Sequence, residues 1–216
     1  MKYMTDIQLA LDLTDLDRAL SLARKSLKGG ATIIEAGTPL IKSVGMESVR
    51  SLSSLLGGRV RLVADMKTSD AGYTESEMAA QSGADVTTVL AAYPDAVRET
   101  VRAAGDYDIS VMADLMESED IVRTAASMEE VGVDLLCVHS GIDTGVDLAS
   151  SFEILSKVAG NVSIPVAAAG GLDRLTAPEA VEHGSSIVIV GRAITEAEDA
   201  MVATAEIRSA IDLVGS

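Results

Sequence analysis

Short apolar runs alternate with longer amphipathic stretches from one end of the chain to the other. Eight runs rich in Val, Ile, Leu and Ala read as strands, over 7–12, 32–35, 60–65, 86–90, 109–114, 134–139, 162–168 and 187–190. Most are apolar almost throughout, the pattern of strands covered on both faces. Between them apolar positions recur at helical spacing. Leu16, Leu20 and Ala23 predict a helix over 15–27 with Thr14 as its cap, and Pro94-Asp95 opens another that Gly105 closes. Glycine stands where helices should stop and strands begin, as in Gly30-Ala31-Thr32-Ile33, Gly83-Ala84-Asp85-Val86, Gly132-Val133-Asp134-Leu135 and Gly184-Ser185-Ser186-Ile187. Eight buried strands, each followed by a helix, predict a single (β/α)8 barrel over residues 1–216; an open, doubly wound sheet is the alternative.

Composition narrows the function. Hydrophobic residues make up 48% of the chain, which excludes disorder, and no apolar run approaches the ~20 residues of a membrane helix. The first residues carry no signal-like apolar run, so a cytoplasmic protein is expected. Acidic residues outnumber basic ones by 33 to 17, giving a net charge of −16 that repels a phosphate backbone. An aromatic content of 2% with no Trp also removes the stacking platforms of single-strand binders, so neither nucleic acid nor membrane is an expected partner. Cys137 lies inside the apolar run 134–138 and is expected to be a buried, inert thiol.

In a barrel of this kind, chemistry sits at the C-terminal ends of the strands. Here those ends are polar: Asp12, Glu35, the set Asp65, Lys67 and Asp70, then Asp114, His139, Gly170-Gly171 and Gly191-Arg192. Asp65 and Lys67 are two apart and should project together from the third strand, with Asp70 beyond it on the loop. Asp12 and Asp114 taken singly are also good helix caps. Glycines after the last two strands let backbone N–H groups approach an anion, and Arg192 adds a charged donor, a pattern that suits phosphate. Glu35 and Asp65 on neighbouring strands offer hard oxygens suited to Mg2+, or Glu35 could instead pair with Lys67. His139 faces the same rim and suits general acid–base work, whereas His183 is better explained by the end of a helix.

The motif Asp65-Met66-Lys67-Thr68-Ser69-Asp70-Ala71-Gly72, with Glu35-Ala36-Gly37-Thr38-Pro39-Leu40, resembles the orotidine 5'-monophosphate decarboxylase suprafamily. Within it the chain is similar to the branch of hexulose-phosphate synthases and keto-gulonate-phosphate decarboxylases. The likeness extends to Val138-His139-Ser140-Gly141, Ala169-Gly170-Gly171-Leu172 and Val190-Gly191-Arg192. Asp114, Ile142 and Ala169, where the decarboxylases typically carry Glu, Arg and Thr, favour the synthases. The resemblance implies a Mg2+-dependent, reversible aldol addition of formaldehyde to D-ribulose 5-phosphate through an enediolate. It implies Mg2+ on Glu35 and Asp65, proton transfer at His139, and enediolate stabilisation by Lys67. Asp12 and Asp114 would contact substrate hydroxyls or assist proton transfer, with phosphate on Gly170, Gly171, Gly191 and Arg192. It also implies a homodimer in which Asp70 serves the neighbouring subunit. Decarboxylation of 3-keto-L-gulonate 6-phosphate and a non-catalytic sugar-phosphate-binding barrel are the alternatives.

Overall fold

The structure, a computed structural model, describes residues 4–116, 118–139 and 148–214. Ser140, Gly141 and Ile142 lie outside them. The strands are β1 (Asp6–Leu11), β2 (Ile33–Ala36), β3 (Arg61–Thr68), β4 (Val86–Leu90), β5 (Ser110–Asp114), β6 (Leu135–His139), β7 (Val166–Ala169) and β8 (Ile187–Val190). All neighbours pair in parallel, and β8 returns to β1 to close the barrel. Around it run α1 (Leu16–Gly29), α2 (Thr38–Val44), α3 (Glu47–Leu56), α4 (Gly72–Gln81), α5 (Pro94–Tyr107), α6 (Ile121–Val131), α7 (Leu148–Ala159), α8 (Ala177–Glu182), α9 (Arg192–Thr195) and α10 (Ala200–Val214). The closed eight-stranded barrel replaces the open-sheet alternative.

Two apolar layers hold this arrangement. The larger lies between strands and helices and includes Ile7, Leu9, Leu11, Ile34, Leu62, Leu136 and Val188. The smaller fills the barrel itself, with every strand contributing: Ala10, Ile33, Val63, Val86, Met112, Leu135, Cys137, Ala167, Ile187 and Ile189. Because strand side chains alternate, the residue two positions further on faces inward again. That next position is Asp12 after Ala10, Glu35 after Ile33, Asp65 after Val63, Thr88 after Val86, Asp114 after Met112 and His139 after Cys137. A polar layer therefore caps the apolar filling at the C-terminal mouth.

Four local expectations are corrected. The cap of α1 is Asp15, whose side chain accepts from the Arg18 N–H at 2.9 Å, and not Thr14. Gly105 does not close α5; the helix runs to Tyr107 and ends on Asp108 in a left-handed conformation, which aspartate tolerates. The seventh strand begins at Val166 rather than 162. The third does not stop at Asp65 but carries Lys67 within it and ends at Thr68.

Candidate active site

β3 reaches so far because it bulges. Ala64 pairs with Thr87 and Thr68 with Val89, so Asp65, Met66 and Lys67 face Thr88 alone. Lys67 there takes φ +45°, a left-handed backbone that costs a side-chain-bearing residue on the order of 1–3 kcal/mol. The ammonium nevertheless lands beside Asp65, as the spacing predicts. Lys67 Nζ lies 3.2 Å from Asp65 Oδ2 and 3.1 Å from Asp114 Oδ2. Asp114 Oδ2 is also 3.0 Å from His139 Nδ1, and its Oδ1 accepts from the Met116 N–H at 2.9 Å.

On the other side of Lys67, Asp12, Glu35 and Asp65 bring one carboxylate oxygen each within 4.8 Å of the others. The alternative pairing of Glu35 with Lys67 is not formed. Glu35 instead accepts from Gln8 Nε2, and among the described residues neither Glu35 nor Asp12 has a cationic partner. Burial pushes the Glu35 carboxyl well up, and the charges of Asp65 and Asp12 push it further. Asp12, at the open rim, is raised by partial loss of water around its carboxyl and by Asp65. Burial disfavours the Lys67 ammonium, but Asp65, Asp114 and Glu35 outweigh it and hold the side chain charged far above its ordinary range. Burial likewise opposes the charge on Asp114, yet the His139 hydrogen bond and Lys67 bring its pKa below the usual value.

Three clustered carboxylates and a single nearby ammonium leave negative charge that a hard divalent cation would neutralise, so the donor set fits Mg2+. Asp12 belongs to that cluster, whereas its position alone suited a helix cap and the resemblance implied contact with substrate hydroxyls. Asp70 does not join it: the side chain is exposed and accepts from the neighbouring Ala71 N–H at 2.7 Å. Gly170 and Gly171 follow β7 with φ of 105° and 68°, values that favour glycine. Gly191 precedes the single turn of α9, and Arg192 is exposed without a partner among the described residues. Cys137 is buried below His139, where loss of water and the Asp114 charge keep its thiol protonated. His183 ends α8 and stacks on Phe152, away from the mouth.

The site also contains residues that strand-end reading passed over. Thr38 donates to Asp65 at Oδ2 and at the backbone oxygen, both at 2.8 Å, and Thr88 donates to Asp65 Oδ1 at 2.7 Å. Gln8, wholly buried, could have been found as a polar residue inside the apolar run 7–12. Gly37 is required by packing, since a Cβ there would stand 2.8 Å from the Leu11 backbone oxygen and would also displace the Asp12 carboxylate.

A barrel whose mouth carries this lysine–carboxylate array defines a class, and comparison with known proteins agrees. Residues 5–207 match the orotidine 5'-phosphate decarboxylase / HUMPS family, and the chain belongs to it. The 3-hexulose-6-phosphate synthase of Bacillus subtilis (strain 168) is 34% identical over 196 residues, covering 90% of this chain and 92% of that protein. A crystal structure of 3-hexulose-6-phosphate synthase superposes with a TM-score of 0.89 at 33% identity, covering 95% of this chain and 99% of the other. The 3-keto-L-gulonate-6-phosphate decarboxylase of Vibrio cholerae O1 biovar El Tor shares the fold, with a TM-score of 0.83 at 24% identity over 98% of this chain and 99% of that one. Kinship with the synthases makes this chain an enzyme of the lyase type. No helix among the described residues is long and apolar enough to cross a membrane.

Proposed function

We propose that the chain is a 3-hexulose-6-phosphate synthase, a Mg2+-dependent aldolase that adds formaldehyde to D-ribulose 5-phosphate and runs the reaction in reverse. The observation that carries this reading is the placement of Lys67 between a cation-deficient carboxylate cluster (Asp12, Glu35, Asp65) and the Asp114–His139 pair. Such a mouth suits the enediolate formed when a proton leaves carbon 1 of a 2-ketose. Glu35 and Asp65 would hold the metal, with Asp12 in reach; when bound it supplies a Lewis acid for the ketone oxygen and its neighbouring hydroxyl.

His139, oriented by Asp114 through Nδ1, takes the carbon-1 proton at Nε2. Lys67 stabilises the enediolate oxygen as its charge grows. The electron pair then forms a bond from carbon 1 to the formaldehyde carbon, whose oxygen takes up a proton, and the ketone is restored on its original carbon, now carbon 3 of the hexulose. Asp12 and Asp114 contact hydroxyls or assist the proton transfers. Phosphate is held by the backbone at Gly170, Gly171 and Gly191 and by Arg192, whose guanidinium, exposed and without a partner among the described residues, supports that role.

The reading includes a homodimer in which Asp70 enters the partner's site, supported by its exposure and its separation from the Lys67 ion pairs. It also takes residues 1–216 as one barrel domain working in the cytoplasm, without nucleic acid or membrane partners. Protein- and Mg2+-dependent loss of formaldehyde in the presence of ribulose 5-phosphate tests the assignment, and no loss contradicts it.

A further inference from the structure

Lys67 must be held in a backbone conformation it does not favour, and β4 supplies a single residue opposite the bulge to do so. A bulge leaves backbone groups without ladder partners, and a buried N–H needs one. The Lys67 N–H finds its partner in a side chain: it donates to Thr88 Oγ1 at 2.9 Å. The same hydroxyl donates its own proton to Asp65 Oδ1 at 2.7 Å. Both hydrogen-bonding capacities of Thr88 are thus aimed at the two charged residues of the bulge, and the residue is 4% exposed.

We propose that Thr88 is a positioning residue for the enediolate site: its hydroxyl locks the left-handed Lys67 backbone and fixes the Asp65 carboxylate in one orientation. A hydroxyl is the smallest side-chain group that accepts and donates at once, and a threonine also fits the pleat of a strand. Valine has nearly the same shape and can do neither. The adjacent Thr87 provides the control. It is wholly buried on the opposite face of β4, and its Oγ1 has no hydrogen-bond partner among the described residues. Thr87→Val therefore makes the same chemical change one residue away without touching Lys67 or Asp65.

The proposal rests on the synthase reading for its kinetics but not for its geometry, and the test uses both. Thr88→Val, Thr88→Ser and Thr87→Val are compared with the native protein by steady-state formaldehyde addition, and the crystal structure of Thr88→Val is solved. Thr88→Val is expected to lower kcat by about 10- to 100-fold with KM changed little, as for loss of a group that orients a ligand or catalyst. Thr88→Ser keeps most of kcat, Thr87→Val matches the native protein, and Lys67 leaves its positive φ in the Thr88→Val structure. Thr88→Ala gives the same readouts if the valine variant does not fold. A Thr88→Val enzyme as active as Thr87→Val, or one in which Lys67 keeps its backbone angle, overturns the proposal. If the native protein consumes no formaldehyde, the synthase reading fails and the Lys67 angle alone decides the role of Thr88.

Discussion

The carboxylate of Asp114 meets the imidazole of His139 at 3.0 Å, Oδ2 to Nδ1. In the proposed reaction that contact would turn Nε2 towards the substrate and would stabilise the imidazolium formed when a proton is taken. Asp114→Asn keeps the shape but removes the charge that both His139 and Lys67 face. We expect kcat to fall on the order of 100-fold with the fold intact by circular dichroism. Turnover within a few-fold of native would separate Asp114 from proton transfer.

In the proposed reaction Lys67 is the cation that stabilises the developing enediolate. Lys67→Ala removes an electrostatic catalyst worth roughly 3 kcal/mol, so kcat/KM should drop by about 100-fold or more. Addition of ribulose 5-phosphate should still raise the melting temperature, because the proposed phosphate anchor lies on other strands. Near-normal turnover would remove Lys67 from the chemistry.

Glu35 links the site to pH. Its carboxyl is raised in the folded protein, so the fold binds its proton more tightly than the unfolded chain does. In metal-free protein the stabilising contribution of protonated Glu35 is therefore present at low pH and lost as pH rises through the folded pKa. Glu35→Gln should melt at a higher temperature than native protein near neutral pH without metal. Mg2+ should raise the melting temperature of the native protein, increasingly so at higher pH as protons compete less, and should do little for Glu35→Gln. An identical response of the two proteins to Mg2+ would take Glu35 out of the metal site.

Asp70 tests the shared site. Lys67→Ala and Asp70→Ala dimers should each be nearly inactive. Mixing equal amounts under conditions that exchange subunits should restore about a quarter of the native sites, since half the dimers then carry one site with both native residues. No recovery after verified exchange would place Asp70 and Lys67 in the same subunit's site.

Much of the barrel was legible because its two apolar layers impose near-continuous hydrophobic runs, and the charged residues interrupt them at strand ends. Asp12, Glu35, Asp65, Lys67, Asp114 and His139 all proved to share one mouth for that reason. Thr38 and Thr88 were hidden because threonine is an ordinary strand and turn residue, and its hydroxyl declares a role only through its partners. The bulge was hidden too. Met66-Lys67-Thr68 has no glycine to mark it, and the strain is stabilised by Thr88, twenty-one residues away in the chain. The missed end of α5 has the same character, since Asp108 adopts the left-handed turn that a glycine was expected to supply.

The synthase and the decarboxylase differ in whether the proposed enediolate adds formaldehyde or arises by loss of carbon dioxide. The most direct measurement incubates the protein with ribulose 5-phosphate, formaldehyde and Mg2+ and follows formaldehyde, with 3-keto-L-gulonate 6-phosphate supplied in parallel and carbon dioxide followed. The account predicts rapid, Mg2+-dependent formaldehyde loss with equimolar hexulose phosphate formed, and little decarboxylation. Robust carbon dioxide release with no formaldehyde consumed would contradict it.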